Sequence, residues 1–181
     1  MTKPVLPIQR MHERHHGLTQ AIADTYVEAA TVCVARHHSS PIVFSIQEPG
    51  AIQEAQLAWT QPDARTQAAW ANDVDRTAAG AYGCALAATE LARGLTAVRR
   101  AETGSGADYY VALPGLGVED LEDCLRLEVS GLDSGGTAEV RRRVAMKVQQ
   151  LRQGTGSLPA IAGVVGFKEL AIVIEDVLEA R

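Results

Sequence analysis

Two acidic residues in the second half of this 181-residue chain are candidates for sharing one divalent metal ion. Asp108 follows a glycine-rich turn at residues 104–107 and enters a predicted strand at residues 108–113. Glu128 lies inside the next predicted strand, at residues 124–130. If the two strands are neighbours, the carboxylates offer the hard oxygen ligands that Mg²⁺ or Mn²⁺ prefers, and such an ion can activate water against a phosphodiester.

A lysine in the next predicted helix is positioned to join this pair. The apolar stripe of that helix consists of Val140, Val144, Val148 and Leu151. At about 100° per residue, Lys147 projects into the same stripe. A lysine in that position must either extend its ammonium to solvent or meet a partner. We therefore expect Lys147 to point toward the sheet.

The same helix carries three consecutive arginines, Arg141, Arg142 and Arg143. Guanidinium groups bind phosphate oxygens, so these residues are candidates for nucleic-acid binding. The formal net charge of −5 opposes non-specific binding over the whole surface but is compatible with a local basic patch. The alternative is that the arginines form a solvated helix face.

Helical and strand-like patterns alternate around these residues. The predicted elements are a helix at 18–36, strands at 41–46 and 55–60, a helix at 64–93, strands at 95–101, 108–113 and 124–130, a helix at 137–154, and strands at 160–167 and 170–177. The last strand has helix as its alternative. Asp63, Thr137 and Gly94 are predicted to cap helices, and a break is predicted near Gly80. The fold class is α/β (α+β), a central mixed sheet flanked by helices.

Length and composition favour one domain over residues 1–181. Within it, residues 1–78 form an N-terminal helix, hairpin and helix region, and residues 79–181 form the α/β core. The chain is 46% hydrophobic and 22% charged, and it lacks an apolar window of ~20 residues and an apolar signal region, so we expect a cytoplasmic protein with no membrane partner. Three widely spaced cysteines, Cys33, Cys84 and Cys124, are predicted to be buried thiols.

Five histidines bracket the first predicted helix, at positions 12, 15, 16, 37 and 38. Histidines bind zinc or nickel, but no cysteine or acidic spacing here resembles a known site. We expect these histidines to lie at solvated helix ends. The alternative is a metal site formed by His12, His15 and His16.

The order of elements and the acidic pair resemble the PD-(D/E)xK nuclease superfamily. That superfamily has a core of one helix, three strands, a helix and a further strand, with an Asp and a Glu-x-Lys on adjacent strands. The resemblance covers residues 81–167. It implies a restriction-endonuclease-like core, Mg²⁺ (or Mn²⁺) as the cofactor, and DNA or RNA as the partner.

Carried over residue by residue, the resemblance makes Asp108 the first carboxylate and Glu128 the acid of Glu-x-Lys. The chain departs from the pattern at Ser130, which stands where the superfamily has its lysine. Some members supply the lysine from another element. Lys147 is therefore the candidate for the third catalytic residue, beside Asp108 and Glu128.

The resemblance also implies roles for residues in the flanking helices. Glu90, in the helix before the strands, is the candidate for a further metal ligand, with Glu28 and Glu102 as alternatives. A glutamine in the second helix recurs in several branches, and Gln150 or Gln149 would match it.

Two segments, residues 104–110 (Gly-Ser-Gly-Ala-Asp-Tyr-Tyr) and 126–131 (Arg-Leu-Glu-Val-Ser-Gly), also look like bacterial proteins associated with mobile or defence loci. The first functional hypothesis is a divergent metal-dependent nuclease-like protein, acting on nucleic-acid phosphodiesters in bacterial defence. The alternative is a non-catalytic interaction or regulatory subunit on the same fold, working with an effector or ATPase partner or as a homo-oligomer. In a purely structural role, Asp108 would tighten its turn and Glu128 would pair with Arg126 or Lys147.

Overall fold

A seven-stranded mixed sheet forms the centre of the fold, as the mixed-sheet prediction requires. The computed structural model describes residues 2–154 and 156–177. The strands are β1 (Ile42–Glu48), β2 (Ala51–Leu57), β3 (Thr96–Arg100), β4 (Tyr109–Ala112), β5 (Leu125–Leu132), β6 (Ala160–Gly166) and β7 (Ala171–Val177). The helices are α1 (Gln20–Ala35), α2 (Ala64–Ala69), α3 (Asp73–Arg93) and α4 (Thr137–Gln153), and a 3₁₀ turn spans Met11–Glu13.

The strands lie in the order β2-β1-β7-β6-β5-β4-β3. Strands β3, β4 and β5 form an antiparallel meander, and β5 then pairs in parallel with β6 after the α4 crossover. At the other end, the β1–β2 hairpin joins the sheet through a parallel pairing of β1 with β7. The predicted N-terminal region therefore shares one sheet with the predicted core, and the boundary expected at residue 78 falls inside α3. Of the residues predicted to form one domain, Met1, Thr155 and 178–181 lie outside the described part.

Helices α3 and α4 cover opposite faces of the sheet, as two close approaches to β6 show. A Cβ atom built on Gly163 would lie 3.3 Å from Cβ of Ala85 in α3. A Cβ atom built on Gly166 would lie 2.8 Å from Cγ2 of Val140 in α4. Residues three apart along a strand point to opposite faces, so each face of β6 is covered by a different helix. No helix within residues 2–154 and 156–177 combines the length and the apolar character that a membrane crossing needs.

The long helix predicted at residues 64–93 is two helices, α2 and α3. The interruption lies at residues 70–72, where the Asn72 side chain caps α3. The predicted break near Gly80 is wrong, because Gly80 lies within α3. A Cβ atom there would lie only 3.0 Å from Cα of Ala30 in α1, so this glycine allows two helices to pack closely.

The helix caps agree with the sequence at two of three positions. The Asp63 side chain accepts a 2.8 Å hydrogen bond from the first turn of α2, and Gly94 ends α3 with a φ of 67°. Thr137, however, is the first residue of α4 and not its cap. Gly136 occupies the cap position, where its amide donates to the Glu139 carboxylate at 2.9 Å. The three cysteines are buried free thiols, as predicted.

Candidate functional site

The candidate site lies where β4 begins and where β5 continues with β6 as its remaining neighbour. Strand β4 pairs with β5 over three residue pairs, whereas β5 pairs with β6 over seven. At the end of the short ladder, the Asp108 amide donates to the Leu127 carbonyl at 2.8 Å. One oxygen of the Asp108 carboxylate then accepts from the Val129 amide at 2.7 Å. The side chain of Asp108 therefore continues the ladder by one hydrogen bond, which fixes its carboxylate against the edge of β5.

Helix α3 and strand β3 hold the other oxygen of Asp108. The Tyr82 hydroxyl donates to Oδ1 at 2.9 Å, and an Arg100 nitrogen lies 3.5 Å from the same atom. Arg100 in turn donates to the Tyr82 hydroxyl at 2.9 Å and stacks 4.3 Å from the centre of its ring. Sequence reasoning missed Tyr82 and Arg100, because their contacts with Asp108 join separate elements.

Glu128 and Lys147 meet on the α4 face of the sheet. Alternation along β5 directs Glu128 toward α4, and the Lys147 ammonium Nζ lies 2.7 Å from its Oε1. Both side chains are largely buried, with 17% of Lys147 and 19% of Glu128 exposed. The predicted direction of Lys147 is confirmed. Of the two partners expected for Glu128 in a structural role, the structure selects Lys147 over Arg126, which instead donates to backbone carbonyls of neighbouring loops.

The surroundings of Glu128 shift the pKa of its carboxyl group. Burial raises the pKa of the Glu128 carboxyl above its usual range, because it disfavours the charged form. The Lys147 ammonium opposes this rise in pKa, and the neighbouring Asp108 carboxylate adds to it. The two acids are therefore close enough to repel each other. A cation between them would relieve that repulsion.

The three consecutive arginines do not form one surface. Arg143 is half-buried, and its guanidinium donates to the Ser130 hydroxyl at 2.8 Å. Arg141 and Arg142 are exposed, and Arg141 lies by a shallow cavity near Glu48. Neighbouring residues of a helix point about 100° apart, which explains the separation. Of the three predicted phosphate contacts, only Arg143 therefore reaches the β5 edge.

Glu90 does not join the other two acids, contrary to its predicted role as a metal ligand. Its carboxylate lies 2.5 Å from Arg14 Nε and 2.9 Å from His15 Nε2. It sits two helical turns from Tyr82, the α3 residue that contacts Asp108.

The alternatives to Glu90 have partners of their own. Glu28 accepts a 2.7 Å hydrogen bond from the Trp70 indole, and Glu102 pairs with Arg99. Gln149 and Gln150, the proposed helix glutamines, are both exposed. None of these four side chains is brought to the edge of β5 by a hydrogen bond in the described part of the chain.

The expectation of solvated histidines is wrong for four of the five, because only His16 is exposed and His12 is half-buried. His15 is fully buried, with Nδ1 accepting from the Ala97 amide at 2.9 Å and Nε2 bonded to Glu90. His37 and His38 are half-buried, against Asp133 and the Phe167 carbonyl respectively. Both nitrogens of His15 are occupied by protein groups. It therefore has no lone pair to offer to the alternative metal site with His12 and His16.

The Asp108–Glu128 pair fits an ion that keeps most of its water. Within the described residues, no three His, Cys, Asp or Glu side chains are arranged to hold a metal ion. Mg²⁺, however, is commonly bound through only one or two carboxylates. A carboxylate has about four lone-pair positions, so Asp108 keeps acceptor capacity beyond its two hydrogen bonds. Glu128 uses Oε1 for Lys147, and in residues 2–154 and 156–177 no hydrogen-bond donor contacts its Oε2.

Two carboxylates, the Lys147 ammonium and the guanidinium groups of Arg100 and Arg143 thus gather at the edge of β5. The acids can supply ligands for a hydrated divalent cation, and the cationic groups can face a phosphate. Comparisons with family models, with curated proteins and with solved structures found no match.

Proposed function

We propose that this protein is a divergent metal-dependent nuclease-like domain that acts on nucleic-acid phosphodiesters. One observation carries the proposal: Lys147 contacts Glu128 at 2.7 Å beside Asp108, although the three residues come from three separate elements. A buried carboxyl group whose pKa is raised by burial and by a neighbouring carboxylate, as that of Glu128 is, is typical of sites that bind cations or transfer protons. A purely structural ion pair between Glu128 and Lys147 would not require Asp108 beside it.

The topology supports a restriction-endonuclease-like core. The sequence α3-β3-β4-β5-α4-β6 gives a helix, an antiparallel meander of three strands, a crossover helix and a strand parallel to the third. This is the element order of the PD-(D/E)xK superfamily. Asp108 precedes the second strand of the meander and Glu128 lies in the third, which matches the positions of the superfamily acids.

Each residue of the site has a specific role in this proposal. A bound Mg²⁺ or Mn²⁺ would polarise the phosphate and lower the pKa of a bound water. Asp108 would hold the ion in a position fixed by the Val129 amide and Tyr82. Glu128 would supply the second ligand. The Lys147 ammonium would stabilise developing negative charge, from α4 instead of the usual strand position, which is Ser130 here.

Cleavage of labelled DNA and RNA in the presence of Mg²⁺ or Mn²⁺ tests this function. We expect activity in the wild type that a chelator removes, and a loss of at least ~10²-fold in Asp108→Asn and Glu128→Gln. The matched controls are Asp123→Asn and Glu122→Gln, which alter exposed acids in the loop before β5. The proposal fails if the wild type cleaves neither DNA nor RNA, or if all four variants retain full activity.

A second candidate is a non-catalytic interaction subunit on the same fold, working with an effector or ATPase partner or as a homo-oligomer. The observation that favours it is a run of exposed apolar residues after β4, with Leu113, Leu116 and Val118 at 51%, 43% and 48% exposure. Such a patch is typical of a protein interface. If this candidate is right, sedimentation velocity shows a dimer or complex that Glu128→Gln preserves and Leu116→Ser with Val118→Ser disrupts. A monomer at every concentration, with no co-purifying partner, would contradict it.

A further inference from the structure

A cavity of about 410 Å³ lies beside the two carboxylates, between α3 and the part of β5 that β4 leaves unpaired. This volume lies within the ~300–1,000 Å³ typical of small-ligand sites. Its lining includes Val74, Ala78 and Tyr82 from α3, Val129 and Ser130 from β5, and Arg143 from α4. Tyr82 and Val129 are also the residues that hold Asp108, so the cavity adjoins the proposed metal site directly.

One wall of the cavity is apolar and open to solvent. Val74 is 76% exposed, whereas the other large apolar residues of α3, which are Tyr82, Leu86 and Leu91, are buried or half-buried. Opposite it, Val129 is only 8% exposed and gives the cavity an apolar floor. A flat, apolar ligand group would bury both side chains further. The aromatic face of a nucleobase is such a group.

The other end of the cavity carries a cation without an acidic partner. Arg143 is half-buried and donates to the Ser130 hydroxyl, and within residues 2–154 and 156–177 it forms no ion pair. The one acid in the lining, Asp73, is paired with Arg76. A guanidinium that is partly desolvated and not neutralised is a strong site for a phosphate, which it can bind through two parallel hydrogen bonds.

We propose that this cavity binds one unstacked nucleoside phosphate, with the phosphate on Arg143 and Ser130 and the base against Val74 and Val129. The inference deepens the proposed function and rests on it for the link to cleavage. A base stacked and paired inside a duplex cannot enter a cavity between a helix and a strand edge. The ligand is therefore a nucleotide of a single strand or a free nucleotide.

Fluorescence anisotropy in a chelator tests the cavity independently of any metal. The probes are a labelled single-stranded oligonucleotide, the same sequence as a duplex, and an unlabelled nucleoside monophosphate as competitor. We expect the single strand to bind at least ~10-fold more tightly than the duplex. Arg143→Gln and Val74→Asp should each weaken single-strand binding at least ~10-fold, because they remove the phosphate contact and place a carboxylate on the base-binding wall.

Two matched controls separate the cavity from general changes of charge. Arg65→Gln removes an exposed arginine from α2, and Ile52→Asp adds a carboxylate at a side chain of β2 that is 73% exposed. Both should change affinity less than about two-fold. Val74 and Ile52 are similarly exposed, so neither substitution disturbs the core.

The outcomes distinguish this inference from the proposed function. If the mononucleotide competes with an affinity equal to that of the single strand, the cavity is supported and its ligand is a free nucleotide. If the single strand binds at least ~10-fold more tightly than the mononucleotide, the ligand is a nucleic-acid strand. If the single strand binds in chelator but no cleavage occurs when metal is added, the nuclease proposal is overturned and the cavity proposal stands. Equal binding of the duplex, no binding of any probe, or no effect of Arg143→Gln and Val74→Asp overturns the cavity.

Discussion

Replacing Lys147 with methionine is expected to lower metal-dependent cleavage by at least ~10²-fold while metal binding persists. Methionine keeps the length of the side chain but lacks the ammonium that lies 2.7 Å from Glu128. In the proposed mechanism, the variant therefore loses the charge that would face the phosphate and keeps both proposed metal ligands. Initial rates of cleavage and calorimetric titration with Mn²⁺ measure the two effects separately.

The same substitution should change how metal binding depends on pH. Lys147 opposes the rise in the pKa of Glu128 that burial and Asp108 cause, so its removal raises that pKa further. Protons then compete with the metal for Glu128 at a higher pH. On acidification, the metal affinity of Lys147→Met therefore begins to fall at a higher pH than that of the wild type. Lys168→Met, at an exposed residue after β6, is the control. Cleavage by Lys147→Met at the wild-type rate would exclude Lys147 from catalysis.

Replacing His15 with leucine is expected to lower the free energy of unfolding by about 2–4 kcal/mol. Leucine has a similar volume but leaves the buried Ala97 amide without its acceptor, and it removes one of the partners of Glu90. His15→Gln is the matched variant, since its amide offers one acceptor and one donor. Urea unfolding at about pH 7.5 should therefore show a smaller loss for glutamine than for leucine. Wild-type stability in His15→Leu would contradict the buried hydrogen bonds.

His15 should also make stability depend on pH. Burial lowers the pKa of this imidazole below its usual value of 6.5, although Glu90 partly opposes the shift. The folded protein therefore binds fewer protons than the unfolded chain just below pH 6.5. The contribution of the neutral His15 imidazole to the free energy of unfolding is complete above pH 6.5 and is lost as the pH falls toward the lower pKa of the folded state. We expect a weaker decline in stability between about pH 7 and pH 5 for His15→Gln than for the wild type, and an identical decline would exclude His15 as the titrating group.

The element order could be predicted because periodicity is a local property of the sequence. Alternating apolar residues marked β3, β4 and β5, and the glycine after Arg93 marked the end of α3. The order of strands in the sheet was beyond the sequence, since the parallel pairing of β1 with β7 joins residues far apart in the chain. The interruption between α2 and α3 has a local signal, Asn72 before Asp73, but the alanine-rich flanks obscured it.

For the site, the sequence was informative wherever one element decided the direction of a side chain. Helix projection directed Lys147 toward the sheet, where the structure places its ammonium against Glu128. It was uninformative where three elements meet. The hydrogen bonds from Tyr82 to Asp108 and from the Ala97 amide to His15 depend on packing between distant segments, which no spacing in the sequence encodes.

The proposed metal pair is tested most directly by calorimetric titration of Mn²⁺ into the wild type and into Asp108→Asn, Glu128→Gln and the control Asp123→Asn. If Asp108 and Glu128 share the ion, the wild type and the control bind with the same affinity, and each of the other two variants loses at least ~10-fold in affinity. Binding that is absent from the wild type, or unchanged in Asp108→Asn and Glu128→Gln, would contradict a metal site at the edge of β5.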